Sequence, residues 1–267
     1  MLADYHVHTY FSDDSECPMQ TYSDRAVELK LDEICFTEHV DYGVKGAPGQ
    51  LPNCPTEKYL AEFERLKKNY AGKVEMKFGM EFGMQTGTVK EFQKLFDAYP
   101  FDFIILSCHQ VNNLEFWNQD FQRGKTQNEY NQKYYEELLN VVKVYDDFSI
   151  LGHLDMIKRY DLQGEYPFEK VRDVIAEILK ITIAKGKGIE VNTSCFRYGL
   201  KDLTPSHEIL NLYKDLGGEI LTIGSDAHEV KSLGEKIADV QKELHNIGFK
   251  HIYTFDKMKP VGHDLLH

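Results

Sequence analysis

The sequence predicts an α/β protein built on a parallel β-sheet. Seven short apolar segments are typical of buried strands, at residues 2–8, 33–37, 74–82, 101–107, 149–152, 188–192 and 219–224. Amphipathic helical patterns lie between them, and this alternation implies parallel strands joined by right-handed crossovers. The sheet is either closed as a barrel or open and doubly wound, and both forms place their chemistry beyond the carboxyl ends of the strands.

The helical pattern is clearest in two segments. Apolar residues recur at i, i+3, i+4, i+7 and i+8 in the first, at Val171, Val174, Ile175, Ile178 and Leu179. The second segment follows the same helical period at i, i+3, i+7 and i+10, with Ile237, Val240, Leu244 and Ile247. A stripe with this period predicts a helix that packs one face against the sheet.

Composition and charge narrow the function classes. The 267 residues carry no linker-like or low-complexity segment, so we expect a single domain over residues 1–267 that can bury a large core. The net charge of −12 argues against a nucleic-acid surface, because phosphate contacts need clustered lysine and arginine. A small anionic substrate stays possible where bound divalent cations reverse the local field.

We expect the chain to be a cytoplasmic protein. No run of apolar residues is long enough to span a bilayer, and the first residues carry acidic groups rather than a basic and apolar leader. The five cysteines are scattered and form no C-x-x-C pair, which is not the pattern of a disulfide framework. The sequence does not indicate an oligomeric state.

Potential metal ligands follow six of the predicted strands. Six histidines, one glutamate and one aspartate stand at these ends: His6, His8, His39, Glu81, His109, His153, Asp226 and His228. Imidazoles combined with carboxylates suit zinc, iron or manganese better than calcium or magnesium. Eight ligands are too many for one ion, and a carboxylate can bridge two ions. The pattern therefore predicts a multinuclear site.

The same residues carry a family resemblance. D-Y-H-V-H-T, T-E-H, G-M-E-F, S-C-H, G-H-L-D and S-D-A-H, in this order from Asp4 to His228, resemble the motifs of the polymerase and histidinol phosphatase (PHP) family. The resemblance implies a distorted (β/α)7 TIM-like barrel, three metal ions and phosphoester hydrolysis. The segments T-E-H-V-D-Y, H-L-D-M-I-K-R-Y and E-V-N-T-S are similar to the stand-alone histidinol-phosphatase branch, which implies hydrolysis of L-histidinol phosphate in histidine biosynthesis.

The resemblance also implies how the ligands divide among three divalent ions, which we expect to be zinc, iron or manganese. The first ion takes His6, His8, Glu81 and Asp226. The second shares Glu81 as a bridge and adds His109 and His153. The third takes His39 and His228, and Asp14 stands where some relatives have a further histidine. Asp13 is the alternative if Asp14 is not the ligand.

Phosphate monoester hydrolysis also needs groups that neutralise the phosphoryl oxygens. A hydroxide bridging two metal ions is the expected nucleophile, because metal binding lowers the pKa of water to about 7. Arg159 and Arg197 follow the fifth and sixth strands, and the planar guanidinium suits phosphate oxygens. Arg197 is the stronger candidate because it ends a polar turn that contains Ser194, and Lys158 is the alternative cation.

The catalytic candidates are Glu81, Asp155, Arg197 and His228. Asp155 follows His153 by two residues, and it either orients that ligand or acts as the general acid. Glu38 precedes His39 by one residue, so its side chain points to the other side of the strand and has a supporting role. Trp117 lies in a long polar segment at residues 110–127 that either covers the substrate or packs on the surface.

Other functions fit the sequence less well. A PHP enzyme acting on nucleotide monophosphates or phosphodiesters is the nearest alternative. An amidohydrolase-like hydrolase also begins with an H-x-H strand, but Glu81, His39 and S-D-A-H favour the PHP pattern. A non-catalytic metal-binding module predicts missing ligands, and almost all are present here. The expected partner is a small phosphate monoester, with no nucleic acid and no membrane.

Overall fold

The computed structural model describes residues 1–43 and 53–265. Within this part of the chain, seven parallel strands form one sheet in the order β1-β2-β3-β4-β7-β8-β9. Their bounds are Ala3–Val7, Glu33–Val40, Glu75–Gly83, Phe103–Ser107, Ile150–Leu151, Gly188–Asn192 and Leu221–Gly224. Val7 bridges to Ala227 just beyond β9, so the first and last strands meet. The predicted distorted (β/α)7 barrel is confirmed, and the open, doubly wound alternative is wrong because the strand order never reverses.

Helices surround this barrel on its outer face. They are α1 (Met19–Leu29), α2 (Thr56–Asn69), α3 (Val89–Ala98), α4 (Gln127–Val144), α5 (Arg172–Ala184), α6 (His207–Asp215) and α7 (Ile237–Ile247). The two predicted apolar stripes lie in α5 and α7, where Ile175, Ile178, Val240 and Leu244 are fully buried against the sheet. None of the helices in the described part of the chain is long and apolar enough to cross a membrane.

Two short hairpins extend the fold beyond the predicted strands. The first, β5 (Gln110–Val111) and β6 (Leu114–Glu115), lies in the polar segment that follows β4. Phe116 and Phe121 of this segment are buried, whereas Trp117 is 65% exposed. The second hairpin, β10 (His251–Asp256) and β11 (Lys259–Asp264), follows α7. Both hairpins lie outside the barrel sheet.

The barrel interior is apolar at the amino ends of the strands and polar at their carboxyl ends. Tyr5, Phe103 and Phe255 pack together in the apolar part, with ring centroids 4.9 Å apart for Tyr5 and Phe103 and 5.0 Å apart for Phe103 and Phe255. The backbone N–H of Phe255 donates to the Tyr5 hydroxyl at 2.7 Å. The C-terminal hairpin therefore closes the amino end of the barrel and leaves the carboxyl end open.

Strand β1 departs from regular alternation. Its register with β2 shifts between Asp4 and Val7, as at a β-bulge. As a result Tyr5 packs in the apolar interior while the next residue, His6, joins the polar interior. The expectation that His6 and His8 share one face is met, but regular period-2 alternation alone would have directed Tyr5 away from both.

We expect Phe255→Ala to lower the free energy of unfolding by about 3–5 kcal/mol, because it removes a buried aromatic side chain and leaves a cavity. Urea unfolding measures the change. Val261→Ala on the partner strand is the control: Val261 is 44% exposed, and its truncation should change stability by no more than about 0.5 kcal/mol. Equal effects of the two substitutions would contradict closure of the barrel by Phe255.

Candidate metal centre

Glu81 lies at the middle of the polar interior. It is on the inward face of β3, opposite to Met80 and Phe82, and is fully buried. Five histidines bring a ring nitrogen within 3.4 Å of its carboxylate: His6, His8 and His39 at Oε2, and His109 and His153 at Oε1. The Ser107 hydroxyl donates to Oε1 at 2.6 Å. One carboxylate therefore gathers side chains delivered by β1, β2, β4 and β7.

Asp226 faces the same group from the end of β9. Its Oδ1 lies 3.8 Å from His6 Nε2 and 3.6 Å from His8 Nε2. Its Oδ2 accepts hydrogen bonds from the Ser194 hydroxyl at 3.2 Å and from Asn192 Nδ2 at 3.3 Å. The structure thus brings together the four residues expected to hold the first ion.

A second part of the site lies nearer the barrel mouth. Asp14 Oδ2 is 2.9 Å from His228 Nε2 and 3.6 Å from His39 Nε2. The His8 ring stacks against both of the other imidazoles, with centroids 4.1 Å from His39 and 4.3 Å from His228. The expected third group is therefore assembled, and Asp14 stands at the place that its sequence position suggests.

The donor atoms fit divalent metal ions. In the described part of the chain, the buried atoms His8 Nε2 and His39 Nδ1 have no hydrogen-bond partner. Burial, with His39 and His228 nearby, holds the pKa of His8 well below its usual range, so its ring is neutral and offers a lone pair. Burial would raise the pKa of Glu81, but His6, His39 and His109 hold it well below its ordinary value. Imidazoles combined with a carboxylate are a donor set for zinc, iron or manganese.

The candidate ligands form four overlapping groups, in each of which the donor atoms lie within 4.8 Å of one another. The groups are His6, His8 and Glu81; Glu81, His109 and His153; His8, His39 and His228; and His39, Asp41 and His109. The second contains the residues that the family resemblance implies for the second ion, and the first contains three of the four implied for the first ion, without Asp226. The third places His8 beside the pair expected at the third ion, because its ring stacks against both of theirs.

Two acidic residues of the site were missed at the level of sequence. Asp41 Oδ1 lies 2.9 Å from His109 Nδ1, and Asp41 Oδ2 lies 3.6 Å from His39 Nδ1. Glu190 Oε1 lies 2.5 Å from His6 Nδ1. The available signal was strand alternation, since Asp41 follows His39 by two residues and Glu190 falls on the inward face of β8.

The two candidate arginines lie beside Asp226 in different surroundings. Arg159 is nearly buried, donates to the Ser194 hydroxyl at 2.6 Å and lies 3.4 Å from Asp226 Oδ2. Its guanidinium stacks 4.0 Å from the centre of the Tyr198 ring. Arg197 is more exposed: it pairs with Glu235 at 3.1 Å and donates to the carbonyl oxygens of Ser225 and Asp226, both at 2.7 Å.

Asp155 lies beside the site rather than among its ligands. Its Oδ2 accepts from Lys158 Nζ at 2.7 Å and from the backbone N–H of Ser206 at 3.0 Å. These contacts fasten the loop after β7 to the start of α6. Lys158, the alternative cation, is thus already paired with a carboxylate.

Glu38 has the supporting role expected for it. Its carboxylate accepts from the backbone N–H of Thr9 at 2.9 Å, the Thr9 hydroxyl at 2.7 Å and the Ser12 hydroxyl at 2.6 Å. It therefore shapes the loop that carries Asp14.

Comparison with known proteins agrees with this geometry. The family model of the PHP domain matches residues 4–194, so the chain belongs to the PHP domain family, as predicted. It is 33% identical to a histidinol-phosphatase of Lactococcus lactis over 262 residues, which is 96% of this chain and 95% of that protein. A probable histidinol-phosphatase of Clostridium acetobutylicum is 30% identical, with 96% and 98% covered.

A solved structure extends the similarity to the fold. The crystal structure of histidinol phosphate phosphatase from Lactococcus lactis, complexed with zinc, L-histidinol and phosphate, matches with a TM-score of 0.86 at 30% identity. The match covers 97% of this chain and 98% of the other.

We expect Asp14→Ala to lower the metal content by about one ion per chain, because it removes the carboxylate shared by His39 and His228. Elemental analysis of the purified protein measures the ratio. Asp13→Ala is the matched control, since it removes the same group from the adjacent residue and should leave the content unchanged. Metal loss in the Asp13 variant alone would transfer the ligand role to that residue.

Proposed function

We propose that this chain is a metal-dependent phosphomonoesterase that hydrolyses L-histidinol phosphate to L-histidinol and phosphate in histidine biosynthesis. The observation that carries the proposal is the cage of five histidines around Glu81, in a chain similar over nearly its whole length to histidinol-phosphatases. The similar structure from Lactococcus lactis contains zinc, L-histidinol and phosphate together. The proposed substrate is a small molecule. We also propose that the enzyme acts in the cytoplasm.

The proposed cofactor is a set of three divalent ions, of zinc, iron or manganese. His6, His8, Glu81 and Asp226 would hold one ion, and Glu81, His109 and His153 would hold the second. His39, His228 and Asp14 would hold the third. Such ions lower the pKa of bound water and neutralise charge on phosphoryl oxygens. The overlap of the groups at Glu81 and His8 supports ions placed close together.

The groups proposed to bind phosphate are Arg159, Arg197 and the Ser194 hydroxyl. Arg159 and Ser194 both contact Asp226 Oδ2, so they lie on the side of that carboxylate away from His6 and His8. Arg197 is held at the backbone of the same residue. Two guanidinium groups beside one ligand can neutralise phosphoryl oxygens and orient the ester.

The charge of the chain supports a small substrate over a polymer. With 43 acidic and 31 basic residues the protein as a whole repels polyanions. The cationic groups described above are concentrated at the mouth of the barrel.

The function is tested by phosphate release from L-histidinol phosphate, measured beside nucleoside monophosphates, sugar phosphates and a phosphodiester, with metal content read on the same sample. We expect a strong preference for L-histidinol phosphate and about three ions per chain. Equal or faster turnover of another ester by the metal-loaded protein would retain the chemistry and reject the substrate.

We expect Arg197→Ala to lower kcat/KM for L-histidinol phosphate about 10²-fold, because it removes a cation proposed to stabilise phosphoryl charge. Metal content should stay unchanged. Arg65→Ala is the control, since it also removes an arginine paired with one glutamate, but on the outer surface of α2. Loss of metal in the Arg197 variant would show instead that this residue holds the Asp226 backbone in place.

A further inference from the structure

Glu190 is a buried carboxylate that touches two different parts of the metal centre. It lies on the inward face of β8 and is 1% exposed. Its Oε1 is 2.5 Å from His6 Nδ1. Its Oε2 accepts from the backbone N–H of His153 at 2.9 Å and from Asn192 Nδ2 at 3.1 Å. In each of these contacts the carboxylate can act as the hydrogen-bond acceptor.

The space around this carboxylate is closely fitted. A Cβ placed on Gly224 would overlap both Glu190 Oε1 and His6 Cβ, so β9 leaves room for the pair only because it has no side chain there. The two neighbours of Glu190 in β8, Ile189 and Val191, are buried in the outer core. The Glu190 carboxylate is thus enclosed by its neighbours and does not point into open space.

The contact determines which nitrogen of His6 faces the metal centre. A carboxylate at Nδ1 requires that this nitrogen carries the proton, since the carboxylate accepts and has no proton to give. In the neutral ring that a metal ion requires, Nε2 is then the atom with the lone pair, and it lies on the side of Glu81, 3.0 Å from Oε2. Histidine ligands commonly donate their other N–H to a carboxylate, which fixes the ring orientation and increases the basicity of the ligand nitrogen.

Glu190 also joins groups proposed for two different ions. His6 belongs to the first group and His153 to the second, and they come from strands β1 and β7, which do not pair. Asn192 extends the connection, because its Nδ2 also reaches Asp226 Oδ2 at 3.3 Å. A single side chain therefore sets the relative positions of ligands that the barrel sheet itself leaves apart.

We infer that Glu190 is a positioning residue that holds His6 in its Nε2-ligating form and couples it to His153, and so sets the affinity of the centre for metal. The inference rests on the proposed metal-dependent function. It assigns to Glu190 no contact with substrate. It predicts that substitution of Glu190 changes metal binding first and activity only as a consequence.

The test is Glu190→Gln, with the zinc dissociation constant of the metal-depleted full chain measured by competition with a chromophoric chelator. Glutamine cannot satisfy both sides: if its oxygen faces His6, its NH2 group faces the donors of His153 and Asn192. If it turns round, the NH2 group faces His6 Nδ1 and favours the tautomer that cannot ligate through Nε2. We expect zinc binding to weaken about 10- to 100-fold.

Glu33→Gln is the matched control. Glu33 is also a buried glutamate on a barrel strand, and it bonds the Tyr5 hydroxyl of β1 at the opposite end of the barrel. We expect this variant to bind zinc as tightly as the unaltered chain. Unfolding temperatures of both metal-free variants report any general loss of stability, and unchanged zinc affinity in Glu190→Gln would overturn the inference.

Activity supplies a second readout. Because Glu190 acts through the ligands, saturating zinc should restore most of kcat in Glu190→Gln, whereas the zinc concentration for half-maximal activity should rise. Loss of kcat that zinc does not restore, with normal zinc affinity, would also overturn the inference. If the glutamine variant does not fold, Glu190→Asp retains the charge, withdraws it from His6 and should weaken zinc binding in the same direction.

The zinc titration needs no substrate. If the unaltered chain binds zinc but does not hydrolyse L-histidinol phosphate, the proposed substrate is wrong. The role of Glu190 can still be tested by the zinc titration. The two failures are therefore distinguishable.

Discussion

The arrangement of the site depends on the need to neutralise negative charge inside the barrel. Glu81, Glu190 and Asp226 are all buried at the carboxyl ends of the strands. An ionised carboxylate in such a place is very costly unless it is paired or bound to a metal. The histidines around Glu81 meet this need only partly, because the neutral ring of His8 contributes no positive charge. Divalent ions held between these groups would satisfy the carboxylates and the imidazole lone pairs together.

The fold makes this polar interior possible by separating it from an apolar one. Tyr5, Phe103 and Phe255 fill the amino end of the barrel, and a larger core lies between the sheet and the helices. The irregularity in β1 marks the boundary, since Tyr5 enters the apolar part and His6 the polar part. Apolar burial on both sides stabilises strands whose ends carry groups selected for chemistry rather than packing.

The sequence was sufficient to predict the fold and most of the candidate site, because both are encoded locally. Residues that follow parallel strands must meet at one end of the sheet, so motifs such as H-V-H and S-D-A-H could be placed without knowing any long-range contact. The C-terminal hairpin was not predicted, because its role depends on packing with Tyr5, 250 residues away. Strand alternation could have placed Glu190 on the inward face of β8, but not its contact with His6, which is 184 residues distant.

The surroundings of the arginines show a further limit of sequence reasoning. Arg159 and Arg197 both follow barrel strands, and the sequence favoured phosphate contacts for both, with Arg197 as the stronger candidate. The structure separates them: Arg159 shares the Ser194 hydroxyl and Asp226 Oδ2, whereas Arg197 is anchored by Glu235 and by backbone carbonyls. No local pattern contains this distinction, because Glu235 and Asp226 reach the arginines through the closure of the barrel.

Asp226 connects the proposed metal ligands with the proposed phosphate-binding groups, because its two carboxylate oxygens face different groups. Oδ1 is directed to the ring nitrogens of His6 and His8, and Oδ2 is directed to Ser194, Asn192 and Arg159. A cation held near Oδ1 would lower the negative charge that Oδ2 presents to the guanidinium of Arg159. An anion at the barrel mouth would then compete for Arg159 with a weaker partner. Metal binding and phosphate binding are therefore expected to favour each other through one shared residue.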